Sequence, residues 1–209
     1  MSLDNLLKEK QIKNNIYNLD NEIGMGLRIL IENYTSIFKI LGKNYKRNLE
    51  IIKLIAFLIS RYYKYGVIEE YKIVKNFFDI EYEKYSKIAR VIELNKIQLI
   101  KTFDKIEVNV DINEVNKFIE RGLFYLLNNY PDIYFEVIKS PKKAIMAAGY
   151  IVTYVMEKGM LPHNGYIRKL FQMKSNISLR RVYRKIYPIL LKLLDDEELS
   201  YIRPYKLNV

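Results

Sequence analysis

The sequence predicts an all-α protein, and three observations support this prediction. Apolar residues recur every three or four positions through most of the chain, which is the spacing of helices with one buried face. Proline, which interrupts helices, is absent before Pro131. No run alternates apolar and polar residues between turn-forming pairs, as the strands of a hairpin would.

The chain has 209 residues, half of them hydrophobic, which is enough for one large domain or two of about 100 residues. It has no Cys and a single His, so disulfides, zinc sites and Ser-His nucleophiles are not expected. The N-terminus lacks the apolar core of a signal peptide. The longest apolar run, residues 145–156, is shorter than the ~20 residues that span a bilayer. We therefore expect a soluble, intracellular protein without a cofactor or metal.

The first half of the chain predicts four helices. The first covers residues 21–41 and stops at Gly42. It contains Gly24 and Gly26, which therefore do not form a phosphate-binding loop. Its predicted buried face consists of Leu27, Leu30, Ile31, Tyr34, Ile37, Phe38 and Leu41. The second helix, residues 48–65, is apolar on most sides, as expected of a helix buried among others. Two shorter helices follow within residues 69–80 and 82–94.

The second half repeats this plan. Residues 140–158 predict a long helix rich in Ala and Gly, with Ser140 as N-cap and Pro141 in the first helical position. Gly159 ends this helix as Gly66 ends the central helix of the first half, an offset of 93 residues. Two helices separated by a turn follow in both halves, so the sequence predicts two related units. The segment 93–114 is expected to contain the linker.

The sequence predicts an offset one residue larger for the later helices of the two halves. With an offset of 94, Ile73 falls on Ile167 and Phe77 on Phe171.

Positive charge is concentrated in the last third of the chain. Residues 140–209 hold 13 Lys and Arg against 5 Asp and Glu, a net charge of +8, whereas residues 1–139 carry only +3. Between Lys158 and Leu194 there are nine cations and no carboxylate. A solvated face normally mixes both signs, so this stretch indicates a polyanionic partner.

The basic stretch has the form of a helix-turn-helix. A first helix, residues 162–172, is followed by a turn and by Ser175, a favourable N-cap. The second helix is expected to end at Pro188, with Leu179, Val182, Tyr183, Ile186 and Leu190 on its buried side. The opposite side carries Ile177, Arg180, Arg181 and Arg184, and Ser178 lies in the first turn. Arg binds phosphates and guanine edges. The alternative is a solvated surface helix.

Two further features of the sequence narrow the range of expected functions. The matching segment of the first half carries Asp79, Glu81 and Glu83, so DNA binding is expected in the second half alone. The four carboxylates Asp195–Glu198 are adjacent in sequence, which does not show two of them converging in a pocket. We therefore expect no enzymatic activity.

Residues 140–188 resemble the second cyclin-like repeat of the transcription factor IIB family, which includes archaeal transcription factor B. The shared features are the Ser-Pro cap, the Ala-rich helix with Tyr150-Ile151, and the ending Tyr183-Arg184-Lys185-Ile186-Tyr187-Pro188. Over residues 20–95 the resemblance rests on helix order. It implies two cyclin-like five-helix repeats, 21–105 and 106–209, after an N-terminal arm or linker, 1–20.

The resemblance also implies partners, namely promoter DNA, the TATA-binding protein and RNA polymerase. Ile177, Ser178 and Arg180 fall on base-contacting positions of the family, and Arg184 and the cations of the preceding helix fall on backbone-contacting ones. The complete set predicted to contact DNA is Arg168, Lys169, Lys174, Ile177, Ser178, Arg180, Arg181 and Arg184. The implied location is the cytoplasm of an archaeal or virus-infected archaeal cell, or the nucleus of a eukaryotic one.

The chain departs from the family pattern in three ways. It has no Cys for the zinc ribbon that precedes the repeats, and the reader and linker segments that follow the ribbon are expected to be absent or reduced to residues 1–20. Both departures leave open a core fragment or a divergent factor. Its turn has Phe171 and Gln172 in place of the usual Ala-Gly pair and is one residue longer. Two other functions remain open, a cyclin-like adaptor that binds only proteins and a stand-alone helix-turn-helix regulator.

Overall fold

A computed structural model describes residues 19–32, 48–94, 111–195, 197–198 and 201. All regular structure in these ranges is helical, which confirms the all-α prediction. The chain divides into two compact units, with the division between Leu99 and Ile100. The predicted N-terminal arm up to residue 18, the first helix beyond residue 32 and the linker over residues 95–110 lie outside the described residues.

The first unit has one long helix among shorter ones. Its helices are α1 (residues 19–32), α2 (Leu49–Tyr65), α3 (Tyr71–Val74) and α4 (Tyr82–Leu94). The carboxamide of Asn48 accepts a hydrogen bond from the Ile51 amide, 3.2 Å, and so caps the start of α2. Gly66 ends α2 in the left-handed conformation, φ 72°, which glycine adopts without steric cost. Because α2 is buried over most of its middle, it forms the core of this unit.

In the second unit residues 197–198 and 201 are helical, and five longer helices precede them in its described part. These are α5 (Ile112–Asn129), α6 (Pro131–Val137), α7 (Lys142–Lys158), α8 (Asn164–Leu170) and α9 (Asn176–Leu193). The central α7 packs against α5, α6 and α9, and all its residues from Ala144 to Thr153 are buried. Gly159 ends α7 with φ 65°, as Gly66 ends α2. Gly24 and Gly26 lie within α1, as the sequence predicted.

Two predicted helix ends were wrong. Pro141, rather than Ser140, occupies the N-cap of α7, and the Ser140 hydroxyl instead accepts a hydrogen bond from Lys185, 2.7 Å. Pro188 does not end α9, which continues to Leu193. Of the residues that follow Pro188 in the helix, Ile189 and Leu190 are fully buried. Their burial compensates for the one helical hydrogen bond that proline cannot make.

In both units the first helix crosses the central helix at a glycine. A methyl group on Gly26 of α1 would lie 1.8 Å from the carbonyl oxygen of Ala56 in α2. A methyl group on Gly122 of α5 would lie 1.8 Å from the carbonyl oxygen of Gly149 in α7. Ala56 and Gly149 are related by the offset of 93 residues. The two units therefore share a backbone crossing that only residues without a side chain permit.

The alignment of Ile73 with Ile167 was wrong by one position. Ile73 is 41% exposed, whereas Val74 is completely buried, as Ile167 is. Phe78 packs on Phe57 with ring centroids 5.6 Å apart, and the pair at an offset of 93, Phe171 and Tyr150, are 5.8 Å apart. The offset of 93 therefore extends from the central helix through the following short helix, as far as Phe78 and Phe171.

The offset changes to 94 in the last helix of each unit. The buried positions of α4 match those of α9 only with this value: Tyr85, Ile88 and Ile92 correspond to Leu179, Val182 and Ile186. One extra residue therefore lies between Phe171 and Leu179, compared with the matching interval from Phe78 to Tyr85. Gln172, in the longer interval, is the one non-glycine residue with positive φ, 48°, in the described part of the chain.

Candidate nucleic-acid interface

One face of α9 attaches this helix to the second unit. All five residues predicted to be buried there are buried: Leu179, Val182, Tyr183, Ile186 and Leu190. They pack the helix against α7 and α6, and the Tyr183 hydroxyl donates a hydrogen bond to the Asn164 side chain, 3.0 Å. The predicted docking face is thereby confirmed. It leaves the opposite face of α9 directed away from the core.

The opposite face of α9 carries cations. Arg180, Arg181 and Arg184 are exposed, and Ile177 is 59% exposed in the first turn. Arg181 and Arg184 make no hydrogen bond or ion pair with any residue that the structure describes. Ser178 is half-buried beside them. Two guanidinium groups are therefore presented to solvent on one side of the helix, without an ion pair to any carboxylate that the structure describes.

The segment before α9 adds three further predicted residues. Lys169 and Lys174 are exposed, whereas Arg168 is half-buried. The Arg168 Nε is buried and has no acceptor among the residues that the structure describes. A buried guanidinium N–H without an acceptor is unfavourable.

The turn between α8 and α9 is held at several points. The Phe171 ring is buried against Tyr150, and the Met173 amide donates to the carbonyl of Arg168, 2.8 Å. Lys143, at the start of α7, donates to the Gln172 side chain, 3.1 Å. Ser175 occupies the N-cap of α9, as predicted, but its side chain makes no capping hydrogen bond.

Lys185 anchors α9 to the connection between α6 and α7. Its ammonium group donates to the Glu136 carbonyl, 2.6 Å, and to the Ser140 hydroxyl, 2.7 Å. Burial lowers the pKa of Lys185, an effect that Glu136 opposes and Lys139 reinforces. Lys185 thus holds α9 in place, whereas the neighbouring Arg184 remains exposed.

A basic groove lies between α6, the start of α7, the turn and α9. It has a volume of about 1060 Å³. Its cations are Lys139, Lys142, Lys143, Lys174, Arg181, Arg184 and Lys185, and its carboxylates are Asp132 and Glu136. Its floor includes the apolar residues Ile133, Ala144, Met173 and Val182. The groove brings together four of the predicted residues, Lys174, Ser178, Arg181 and Arg184, whereas the other four do not line it.

Sequence reasoning missed four of these cations, Lys139, Lys142, Lys143 and Lys185. The adjacent Lys142 and Lys143 were visible in the sequence, but they were considered only as part of a helix start. Their distance from Arg181 along the chain concealed that they face the same groove. The repeat could have drawn attention to Lys142 and Lys143, because the offset of 93 pairs the start of α7 with the start of α2.

The first unit has a groove in the matching place with the opposite charge. It is lined by Glu50, Asp79 and Glu81, which correspond to Lys143, Gln172 and Lys174 of the basic groove. Its volume is about 420 Å³, and two lysines, Lys75 and Lys84, also line it. This acidic segment of the first unit is exposed where the second unit is basic.

No protein-family model, curated protein or solved structure matches the chain. No three His, Asp or Glu side chains in the described ranges converge in a way that could hold a metal ion. Among the helices that the structure describes, none is long and apolar enough to cross a membrane.

Proposed function

We propose that the protein binds duplex promoter DNA through α9, together with the TATA-binding protein, as a non-catalytic factor of the transcription factor IIB kind. The observation that carries the proposal is the exposed row of Arg180, Arg181 and Arg184 on a helix whose other face is buried. In this proposal α8, the turn and α9 form a helix-turn-helix, and α9 lies in the major groove.

The chemistry of this face suits DNA. Arg181 and Arg184 have no partner to lose among the described residues, so contacts with phosphates release counterions without breaking internal ion pairs. Their planar forks also match the two acceptors of guanine in the major groove. The exposed Ile177 side chain, one turn before Arg181, is suited to contact a thymine methyl group.

The order of helices supports the interpretation as two cyclin-like repeats. In each unit a long central helix ends at a left-handed glycine and is followed by a short helix, a turn and an amphipathic helix. The role of the TATA-binding protein rests on the resemblance of residues 140–188 to the family. RNA polymerase is a further partner on the same ground.

A gel-shift experiment on promoter DNA with and without TATA-binding protein tests the proposal. We expect binding that weakens steeply with salt. The triple variant R180A/R181A/R184A should lose at least about a hundredfold in affinity and flatten the salt dependence by up to about three counterions. The matched control is K72A/K75A/R90A, which removes three exposed cations from the first unit and should bind normally.

Each outcome favours one function. Binding only in the presence of the TATA-binding protein supports the proposal, and sequence-specific binding without it favours the stand-alone regulator. If neither condition gives binding, the protein-binding adaptor remains. Equal loss in the α9 variant and the first-unit control would show a nonspecific charge effect and would contradict the role of α9.

A further inference from the structure

The basic groove combines two properties that the α9 face alone does not have. Seven cations line it against two carboxylates, and its floor is apolar. The start of α7 also opens onto it, and the positive end of that helix dipole adds to the field. A ligand for this groove therefore needs negative charge at its edges and apolar groups at its centre.

The shape of the groove excludes the phosphate backbone as its best occupant. Phosphates and sugars offer no apolar group to cover Ile133, Met173 and Val182. A volume of about 1060 Å³ exceeds that of most small-molecule sites but suits one face of a helix. Amphipathic helices bind in such grooves through apolar side chains at helical spacing, and flanking charges orient them.

We propose that the basic groove binds an acidic amphipathic helix of a partner protein. The apolar face of that helix covers the floor between α6 and α9, and its carboxylates contact Lys142 and Lys143 on one side and Lys174 and Arg181 on the other. Because Arg181 and Arg184 belong to both the groove and the proposed DNA-binding face, the acidic helix and DNA compete for the second unit. This competition rests on the proposed function, whereas the docking itself does not.

Fluorescence anisotropy with designed peptides tests the docking. The probe is a labelled helix of about five turns with Leu and Phe on one face and Asp and Glu on the other. A second peptide has the same charge but Ser in place of Leu and Phe. We expect the full-length protein to bind the first peptide and not the second. Equal binding of both would overturn the proposal, because the groove would then act as a polyanion surface only.

Two variants locate the site. The charge reversals K142E/K143E should weaken binding of the amphipathic peptide by at least about tenfold, and K174E, in the exposed turn, should weaken it less. The matched control K72E/R90E makes the same charge change on the first unit and should bind normally. Circular dichroism identifies any variant that fails to fold. Unchanged affinity in folded K142E/K143E and K174E would overturn the assignment to the groove.

Competition with unlabelled duplex DNA separates the two proposals. We expect DNA to displace the peptide from the native protein. Peptide binding without any DNA binding would contradict the proposed function and leave the docking site supported. DNA binding without peptide binding would overturn the docking site alone. Simultaneous binding of both would overturn their competition.

Discussion

The two units of the protein have the same helix order and the same glycine crossing, but different groups fill the space beside that crossing. In the first unit the carboxylate of Glu22, only 4% exposed, accepts hydrogen bonds from the Ser60 hydroxyl and from Lys64, 2.6 Å. In the second unit the hydroxyl of Thr153, which corresponds to Ser60, donates to the carbonyl of Phe118, 2.7 Å. A hydroxyl thus links the central helix to the first helix in both units.

The surroundings of this link differ in chemistry. Arg61 joins Glu22 and Glu69 in a partly buried ion-pair cluster of the first unit. At the position of Arg61 the second unit has Tyr154, which stacks on Tyr150, with ring centroids 6.1 Å apart, and Tyr150 stacks on Phe118, 5.3 Å. Burial and the nearby Tyr166 raise the pKa of Tyr150 above its usual value. The same backbone arrangement therefore accommodates either charges or aromatic rings.

The grooves of the two units also combine a similar backbone with different side chains. The groove beside the start of the central helix is acidic in the first unit and basic in the second, although equivalent positions line both. The backbone thus provides the concavity, and a few side chains determine its charge. The comparison teaches that the fold and the charge of these grooves depend on separate residues, and the following changes test that separation.

The largest effect is expected at the shared crossing. The substitution G122A places a methyl group 1.8 Å from the Gly149 carbonyl oxygen, so the two helices must move apart, at a cost of about 3 kcal/mol or more in unfolding free energy. G26A should destabilise the first unit similarly. Denaturant unfolding followed by circular dichroism measures both changes.

The control for this prediction is G165A in α8. A methyl group there would meet only the flexible imidazole of His163, 3.0 Å away. Its effect on the unfolding free energy should stay within about 1 kcal/mol, because alanine is also the better helix former. A tolerated G122A would contradict the shared crossing.

A smaller effect is expected at the link between the first and central helices. E22Q removes a charge-assisted hydrogen bond in a buried place and should lower the unfolding free energy by about 2 kcal/mol. T153V removes a neutral hydrogen bond at the corresponding place and should cost about 1 kcal/mol. Thermal unfolding of the two variants compares them. A larger loss in T153V than in E22Q would show that the charged cluster is not what stabilises the first unit.

The smallest effect is expected in the turn before the last helix. Gln172 has φ 48°, a conformation in which glycine is not strained, so Q172G should raise the unfolding free energy by about 0.5 kcal/mol despite the lost contact with Lys143. D79G makes the matching change in the first unit, where φ is not positive, and should lower stability instead. Stabilisation by both substitutions would indicate that the positive φ of Gln172 does not strain the turn.

Much of the fold could be predicted, because helical periodicity is local. The buried and exposed faces of α9 follow from spacing alone, as Leu179 and Arg180 illustrate. The predicted end of that helix at Pro188 was wrong. Proline removes one helical hydrogen bond, but the burial of Ile189 and Leu190 outweighs this loss. The register near Phe77 and Phe78 was wrong because two adjacent aromatic residues fit the pattern equally well.

The candidate site was only half predictable. Residues of α9 could be recognised because they lie together in the sequence. The lysines at the start of α7 belong to the same groove only through the packing of α7 against α9 and α6. Such a juxtaposition depends on tertiary contacts, which neither charge patterning nor helical spacing contains.

Pro188 interrupts the backbone hydrogen bonds of α9 at one point. Proline has no amide hydrogen, so the Arg184 carbonyl lacks its helical partner and the ladder of hydrogen bonds is interrupted within the helix. Local opening, as amide hydrogen exchange reports it, can therefore start at this point and leave the turns on either side intact. Core residues hold both sides of this break, Leu179, Val182 and Ile186 before it and Ile189 and Leu190 after it, so opening at the break need not release the arginine-bearing turns.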